Sequence, residues 1–145
     1  MKSLIKSFSS FLLFSGSLVA CGSDSTGPAE PPVGSYTAIE FVTTGSSGQT
    51  NQLLIGGSLQ MNLAANGATS GHLHMAASAG NPVFDADMTG TWTMNGNVVD
   101  FTQTADTFVR DMVFTLQLVA TNTWDLVGDQ AFSGTRIQLT LRHTP

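Results

Sequence analysis

Apolar and polar residues alternate with a period of two over most of the chain after Gly34. In the segment 58–64, for example, polar residues separate the apolar residues Leu59, Met61 and Leu63. Successive side chains of a β-strand point to opposite faces, so this alternation predicts strands with one buried face. No stretch carries apolar residues at helical spacing over a useful length.

Turn residues separate the alternating segments at short intervals. Asn66-Gly67 and Asn95-Gly96 each lie between two such segments. Asn-Gly is the strongest short hairpin signal because both residues accept a positive φ. Asn122 and Gly134 mark two further turns. The predicted strands are 35–44, 58–64, 69–76, 90–94, 97–104, 111–118, a segment that begins at Trp124, and 135–142.

About eight strands at this spacing predict an all-β fold for residues 34–145, either a sandwich or a barrel. We favour a single antiparallel up-and-down β-barrel, with a β-sandwich as the alternative, because a closed barrel has no edge strands. The bulky residues expected inside would fill most of the interior. They would leave at best a shallow cup at one end, lined by the loops 45–50 and 77–86. These inward residues are Leu59, Met61, Leu63, Leu73, Met75, Trp92, Met94, Phe101, Phe114, Leu116, Trp124, Leu126, Ile137, Leu139 and Leu141.

The first 20 residues follow a different pattern, that of an export signal. Lys2 and Lys6 precede an apolar stretch that ends in Leu18-Val19-Ala20, directly before Cys21, the one cysteine of the chain. A basic start, an apolar stretch and small residues before the cleavage point are typical of a secretory signal peptide. Serines interrupt the apolar stretch, which is too short to span a membrane comfortably.

The four residues Leu18-Val19-Ala20-Cys21 resemble the lipobox of bacterial lipoproteins, in which the signal is removed before the cysteine. The resemblance implies that residues 1–20 are a signal peptide. It also implies that Cys21 carries a diacylglyceryl thioether and an acylated amino terminus, with fatty acids such as palmitate. Two or more acyl chains hold a protein stably on a membrane.

The residue after the cysteine is Gly22. Gram-negative lipoproteins that stay at the inner membrane have Asp at this position, so the resemblance implies that this protein goes to the outer membrane. We therefore expect a lipid-anchored protein of the cell envelope, facing the periplasm or the cell surface. Residues 21–33 form the lipidated cysteine and a tether, which Pro28, Pro31 and Pro32 stiffen.

The two ends of the barrel domain resemble those of lipocalin-like barrels. Gly34-Ser35-Tyr36 stands where those proteins have Gly-x-Trp, and Arg142 lies late in the last predicted strand. Tyr replaces Trp, and the second lipocalin motif, Thr-Asp-Tyr, is absent. The resemblance implies that Arg142 lies within ~6 Å of the Tyr36 ring, the reach of a cation–π contact. An ordinary strand tyrosine and a solvated arginine are the alternative.

The charge of the chain excludes one class of partner. Without residues 1–20 the chain has three Arg, no Lys and ten acidic residues, a formal charge of about −7. Phosphate binding needs clustered Lys or Arg, so no nucleic acid is expected as a partner. With Cys21 lipidated, no thiol remains for a disulfide or a thiolate metal site.

His72 and His74 are weak candidates for a metal site. They lie at i and i+2 of one predicted strand, so both point to the same face, opposite Leu73 and Met75. Zinc needs a third protein ligand and usually a fourth, and the sequence identifies none nearby. Solvent-facing histidines without a metal are therefore favoured, and no cofactor is expected.

The acidic residues offer two further candidates. Asp85-Ala86-Asp87 resembles half of a calcium loop without its glycine and distant glutamate, so a role in turns is favoured. Arg110 between Asp106 and Asp111 predicts a surface ion pair; a site that anchors a carboxylate ligand is the alternative. Five aspartates are expected near strand ends: Asp85, Asp87, Asp106, Asp111 and Asp129.

Five methionines recur in the barrel segments: Met61, Met75, Met88, Met94 and Met112. Thioethers bind cuprous copper. All but Met88, however, alternate in step with other apolar residues, so filling of the core is the favoured interpretation.

Two functions remain open, neither of them enzymatic, because no nucleophile elbow, free catalytic cysteine or phosphate-binding glycine loop is present. The first is binding of a small apolar ligand in a lipocalin-like barrel. The alternative is a structural or protein-interaction module with a filled barrel. An apolar-lined pocket of ~300 Å³ or more would favour the binder. The sequence names no protein partner.

Overall fold

The structure, a computed structural model, describes residues 33–78 and 82–144. The predicted signal peptide, the lipobox with Cys21 and the tether up to residue 32 lie outside the described residues.

Eight strands close into an antiparallel barrel, as the alternation of apolar residues predicts. The described residues form ten strands: β1 (Gly34–Gly45), β2 (Gly48–Asn51), β3 (Ser58–Leu63), β4 (Ala68–Met75), β5 (Phe84–Asp87), β6 (Gly90–Asn95), β7 (Val98–Gln103), β8 (Phe114–Ala120), β9 (Thr123–Phe132) and β10 (Thr135–Thr144). The barrel strands pair in chain order, β1, β3, β4, β6, β7, β8, β9 and β10, and β10 returns to pair with β1. This closure confirms the all-β up-and-down barrel and excludes the sandwich.

Two short strands, β2 and β5, were not predicted, and each extends a barrel strand past its neighbour. Residues 34–37 of β1 pair with β3, whereas residues 42–45 pair with β2. Likewise, Ala68 and Thr69 of β4 pair with β6, whereas residues 72–75 pair with β5. Strands β2 and β5 therefore both lie at the same end of the barrel.

The two ends of the barrel differ in the length of their connections. Short hairpin turns between β3 and β4, β6 and β7, and β8 and β9 lie at the end where β1 begins; we call this the tether end. The opposite end, which we call the open end, holds the longer connections. These carry β2 with a 3₁₀ turn (Leu53–Ile55), β5, and a single helical turn α1 (Phe108–Asp111).

The predicted Asn-Gly hairpins form at the tether end. Gly67 and Gly96 have φ of 81° and 63°, in the left-handed region that favours glycine. Asn66 Oδ1 accepts a hydrogen bond from the Ala68 N–H at 3.0 Å, which fixes the first turn.

Eighteen buried hydrophobic residues fill the interior of the described barrel. Twelve of the fifteen predicted inward residues are among them, and Met75, Met94 and Trp124 are partly buried against this core. At the open end, Val109 of α1 is fully buried and the Phe108 ring packs on Phe41 with centroids 5.7 Å apart. The buried residues outside the predicted inward set are Tyr36, Phe41, Met88, Val99, Val109 and Met112.

The prediction for the segment 111–118 was partly wrong. Its first residue ends α1, and β8 begins only at Phe114. Leu118 was expected to alternate inward, but 59% of its surface is exposed. Only Phe114 and Thr115 pair with β7, so the second half of β8 extends past the barrel wall, and its register with β9 shifts after Leu118.

Candidate functional site

A cavity of about 640 Å³ lies at the open end of the barrel. Its walls are the β1–β2 hairpin on one side and, on the other, the end of β4 with the residues that lead into β5. Described residues of both predicted cup-lining loops, 45–50 and 77–86, contribute to it. The cavity lies beside the filled interior, because the core residues occupy the space between the strands.

The wall formed by the β1–β2 hairpin consists of small residues, most of them polar. Gly45 pairs with Gly48, so Ser46 and Ser47 form a two-residue turn, and Gly48 has a φ of 113° that favours glycine. Ser46 and Ser47 both line the cavity, and the β2 residue Thr50 lines it below them. Their hydroxyl groups can each donate or accept a hydrogen bond.

The opposite wall is apolar apart from Ser78. Val83 and Phe84 are large side chains with 54% and 42% of their surface exposed, and both line the cavity together with Met75. Phe84 pairs with Met75 across the β4–β5 ladder. Exposed apolar groups that rim a concave surface are typical of ligand or partner sites.

Gln52 lies in the wall of the cavity with only 1% of its surface exposed. Its backbone N–H donates to the Phe41 carbonyl at 2.8 Å, and its carbonyl accepts from the Gly57 N–H at 2.7 Å. In the side chain, Nε2 donates to Thr43 Oγ1 at 3.0 Å. The amide oxygen Oε1 is buried and has no hydrogen-bond partner within residues 33–78 and 82–144. A buried acceptor without a partner is rare in proteins.

The two candidate metal-binding histidines lie on the outer face of β4, the strand whose last residue, Met75, lines the cavity. His72 is exposed and His74 half-buried, on the face opposite Leu73, as predicted. The structure adds two carboxylates that sequence reasoning did not connect to them. His72 Nδ1 lies 2.9 Å from Asp87 Oδ1, and His74 Nδ1 lies 2.6 Å from Asp85 Oδ1.

The β4–β5 register explains these contacts, since His72 pairs with Asp87 and His74 with Asp85. Each histidine therefore fastens β5, which carries part of the cavity wall, to β4. Among the described residues, no group of three or more His, Cys, Asp or Glu side chains is arranged to hold a metal ion. His72 Nε2 also lies 3.4 Å from Asp85 Oδ1, so Asp85 contacts both histidines. The cluster is best described as a set of His–Asp hydrogen bonds across a strand ladder.

These contacts shift the pKa values of His72 and Asp85. The hydrogen bond to Asp87, and after it the one to Asp85, raises the pKa of His72 above its ordinary 6.5. The hydrogen bond with His74 lowers the pKa of Asp85 below its ordinary 3.8. Both groups are exposed, so each pair contributes little to stability.

An NMR titration of the His72 ring is expected to give a pKa above 6.5. The pairing therefore stabilises the β4–β5 ladder fully below pH 6.5, and this contribution is lost as the pH rises through the raised pKa. At the acid end, the contribution of Asp85 is lost as the pH falls through its lowered pKa. The stabilising window lies between these limits.

The variant Asp87→Asn should bring the pKa of His72 back towards 6.5, because the hydrogen bond to Asp87 is the main cause of the shift. Asp111→Asn removes a carboxylate that pairs with Arg110 and should leave His72 unchanged. An unaltered His72 pKa in Asp87→Asn would contradict the pairing.

The other three aspartates that were expected near strand ends, Asp106, Asp111 and Asp129, pair with arginines. Arg110 bridges Asp106 at 2.9 Å and Asp111 at 3.0 Å, which is the predicted surface ion pair. Its guanidinium already has two carboxylate partners, so the geometry does not favour anchoring of a carboxylate ligand. Asp129 binds Arg136 through both carboxylate oxygens.

The methionines pack as core residues. Met61, Met88 and Met112 are buried, and Met75 and Met94 are partly buried against the core. Met88 was the expected exception, yet it is fully buried. Its backbone N–H donates to the Gly71 carbonyl at 2.9 Å, which continues the pairing along β4 from β5 towards β6.

The ring beside Tyr36 is that of His143, with centroids 5.2 Å apart. Arg142 pairs with Thr37 on the outer face, and its guanidinium makes a bidentate contact with the buried carboxylate of Asp125 at 2.8 and 2.9 Å. The stacking of Arg142 on Tyr36 that the lipocalin resemblance implies stays a prediction, and this outward position does not favour it.

No protein-family model matches the chain, and no curated protein matches it either. Among the described residues, no helix has both the length and the apolar character needed to cross a membrane.

Proposed function

We propose that this protein is a lipid-anchored, non-enzymatic protein of the cell envelope that binds a small, partly apolar molecule in the cavity at the open end of its barrel. The observation that carries the proposal is the cavity itself. Its volume of about 640 Å³ falls within the range typical of small-molecule sites, roughly 300–1,000 Å³.

The filled core favours this location over the barrel interior. An eight-stranded barrel either fills with side chains or holds one small ligand. Here eighteen buried side chains and the α1 turn occupy the space in which a lipocalin-like barrel would place its ligand. A ligand therefore has room at the rim, between the β1–β2 hairpin and Phe84.

The direction of the strands relates the cavity to the predicted anchor. Gly34 begins β1 at the tether end, and the cavity lies at the opposite end. A tether of twelve residues after Cys21 reaches at most ~40 Å when extended. With Cys21 acylated, the domain would be attached at its tether end, and the cavity would lie at the end of the barrel away from the attachment point. Gly22 favours the outer membrane for this anchor.

The cavity can be tested by blocking it. In Ser47→Trp a large ring on the β1–β2 turn would occupy the space between the two walls. If protein is purified with its anchor from the membranes of its own host, small molecules extracted from Ser47→Trp should be at least about tenfold less abundant than those from the unaltered protein.

The matched control is Thr121→Trp, which places the same ring on an exposed turn at the tether end. It should keep the full amount of bound molecule. If Ser47→Trp also retained that amount, the proposed site would be wrong.

A second candidate function is a protein-interaction module, which the filled interior and one exposed patch favour. Leu118 and Val119, with 59% and 47% of their surface exposed, lie on the part of β8 that extends past the barrel wall at the tether end. If no small molecule is bound to protein from the host and a protein partner is lost on Leu118→Ser, this second function is supported in place of the first.

A further inference from the structure

The hairpin between β8 and β9 projects past the neighbouring turn of the tether end. The first two residues of β8 pair with β7, and the next residue, Leu116, donates its N–H to the carbonyl of Asn97 in the β6–β7 turn at 2.7 Å. Beyond that contact β8 continues through residues 117–120, which among the described strands pair only with β9. Four strand residues span ~13 Å along the strand. The end of this hairpin, residues 117–124, therefore extends past the barrel wall, and we call it the hairpin tip.

The face of the hairpin tip that continues the barrel core is apolar. Leu118 pairs with Trp124 across the hairpin. Two residues further into the barrel, Leu116 and Leu126 are buried, and side chains two residues apart on a strand share a face. Leu118 has 59% of its surface exposed and Val119 has 47%, whereas Trp124 is partly buried against the core. The tip therefore presents apolar surface at the tether end.

The turns of the tether end carry no charge. The hairpin tip and the turns 64–67 and 96–97 contain no Asp, Glu, Lys, Arg or His. The carboxylate that follows the tip, Asp125, is buried and paired with Arg142. Five other carboxylates lie on β5, at α1 and in the second half of β9, towards the open end. The turns of the tether end therefore lack the negative charge that an anionic lipid surface would repel.

The open end is less suited to contact with lipid. It too exposes apolar side chains, and Leu54 has 84% of its surface exposed. Its apolar residues lie among ionised groups, however, since Asp85 follows Phe84 on β5 and α1 includes Arg110 and Asp111. Taking charged groups out of water is costly. Of the two ends, the observations therefore favour the tether end.

The predicted anchor brings lipid to the same end. The chain enters the barrel at Gly34, and the twelve residues between it and Cys21 reach at most ~40 Å when extended. Such a tether keeps the domain close to the bilayer and so raises the effective concentration of lipid at the hairpin tip. The tether by itself does not fix which way the domain faces. A second contact with the bilayer would do so.

We propose that the hairpin tip enters the lipid interface, with Leu118 and Val119 at the boundary between headgroups and acyl chains and Trp124 at the level of the headgroups. Tryptophan is enriched at this level because its ring is apolar and its N–H is polar. One backbone edge of residues 117–120 lies beside no described strand, so the tip stays shallow, where headgroups and water satisfy those groups. The contact directs the cavity away from the bilayer. This inference rests on the lipid anchor of the proposed function and adds an orientation to it.

Spin labels at the two ends of the barrel test this orientation. Because Cys21 is acylated, Leu118→Cys and Leu54→Cys each provide one free thiol for a nitroxide. The lipidated variants are purified from the host and placed in nanodiscs of phosphatidylethanolamine and phosphatidylglycerol. Power-saturation EPR gives the depth of each label from its collisions with oxygen and with an aqueous nickel chelate. The label at position 118 should lie about 5–10 Å below the lipid phosphates, as interfacial segments do, and the label at position 54 in water.

A carboxylate in the hairpin tip gives a matched pair of further variants. Val119→Asp, made in the Leu118→Cys protein, should move the label into water, because the new carboxylate would lose its hydration in the interface. Val113→Asp makes the same change directly before β8, towards the open end, and should leave the depth of the label unchanged. The two valines have 47% and 41% of their surface exposed, so both variants should fold.

The intact mass of each sample separates failure of the hairpin tip from failure of the anchor. If acyl groups are present and the label at position 118 lies in water, the tip proposal is wrong and the anchor stands. A label at position 54 in lipid, or a depth that Val119→Asp leaves unchanged, would also overturn it. If no acyl groups are present, the anchor fails and the tip proposal fails with it. If the label lies in water and Leu118→Ser loses a protein partner in the host, the patch serves the second candidate function instead.

Discussion

The variant Cys21→Ser is expected to incorporate no labelled palmitate in the host and to be lost from the outer-membrane fraction. A serine hydroxyl cannot form the thioether that the lipobox Leu18-Val19-Ala20-Cys21 predicts. Residues 21–145 have three Arg, no Lys and a formal charge of about −7, so their charge would not hold the variant on anionic lipid without acyl chains.

The control for this variant is Ser25→Ala, a change within the tether that leaves Cys21 in place. It should incorporate palmitate at the level of the unaltered protein. Incorporation by Cys21→Ser equal to that of the control would show that Cys21 is not the site of acylation.

The variant Phe114→Ala is expected to lower the free energy of unfolding by about 3–5 kcal/mol. Phe114 is fully buried, and its ring packs edge-on against Phe101 with centroids 5.3 Å apart. Removing the ring leaves a void among rigid strands that cannot close over it. The total free energy of unfolding of a small domain is about 5–15 kcal/mol, so the loss is a large part of its stability.

Urea unfolding followed by circular dichroism measures this loss. The neighbouring residue offers the control: Val113→Ala alters a side chain with 41% of its surface exposed and should change the free energy by less than about 0.5 kcal/mol. Equal midpoints for Phe114→Ala and the unaltered protein would contradict a filled core.

The barrel strands could be predicted because their alternation is local information. Residues such as Leu59 and Ile137 recur on one face of each strand, and Asn-Gly marks two of the turns. The short strands could not be predicted in the same way. Residues 48–51 carry no alternation, and residues 84–87 alternate over only four positions. Each segment pairs with a part of β1 or β4 that continues past its barrel neighbour and offers free backbone groups.

The site was predictable only in outline. Loop positions followed from the strand count, so the two cup-lining loops were identified. Gln52 was not identified from the sequence. Its burial depends on the hydrogen bond from its backbone N–H to the Phe41 carbonyl, directly before the 3₁₀ turn, and this contact leaves Oε1 buried without a partner among the described residues. The His–Asp pairs depend on the register of β5 on β4. One signal was present: Asp85 and Asp87 have the same i, i+2 spacing as His72 and His74, which antiparallel pairing brings into contact.

A native mass spectrum of the unaltered protein, extracted from the membranes of its own host, tests most directly whether this is an anchored small-molecule binder. The chain should begin at Cys21, carry covalent acyl groups, and hold one small molecule that leaves on gentle activation. A chain without acyl mass, or an acylated chain that never carries a bound molecule, would contradict it.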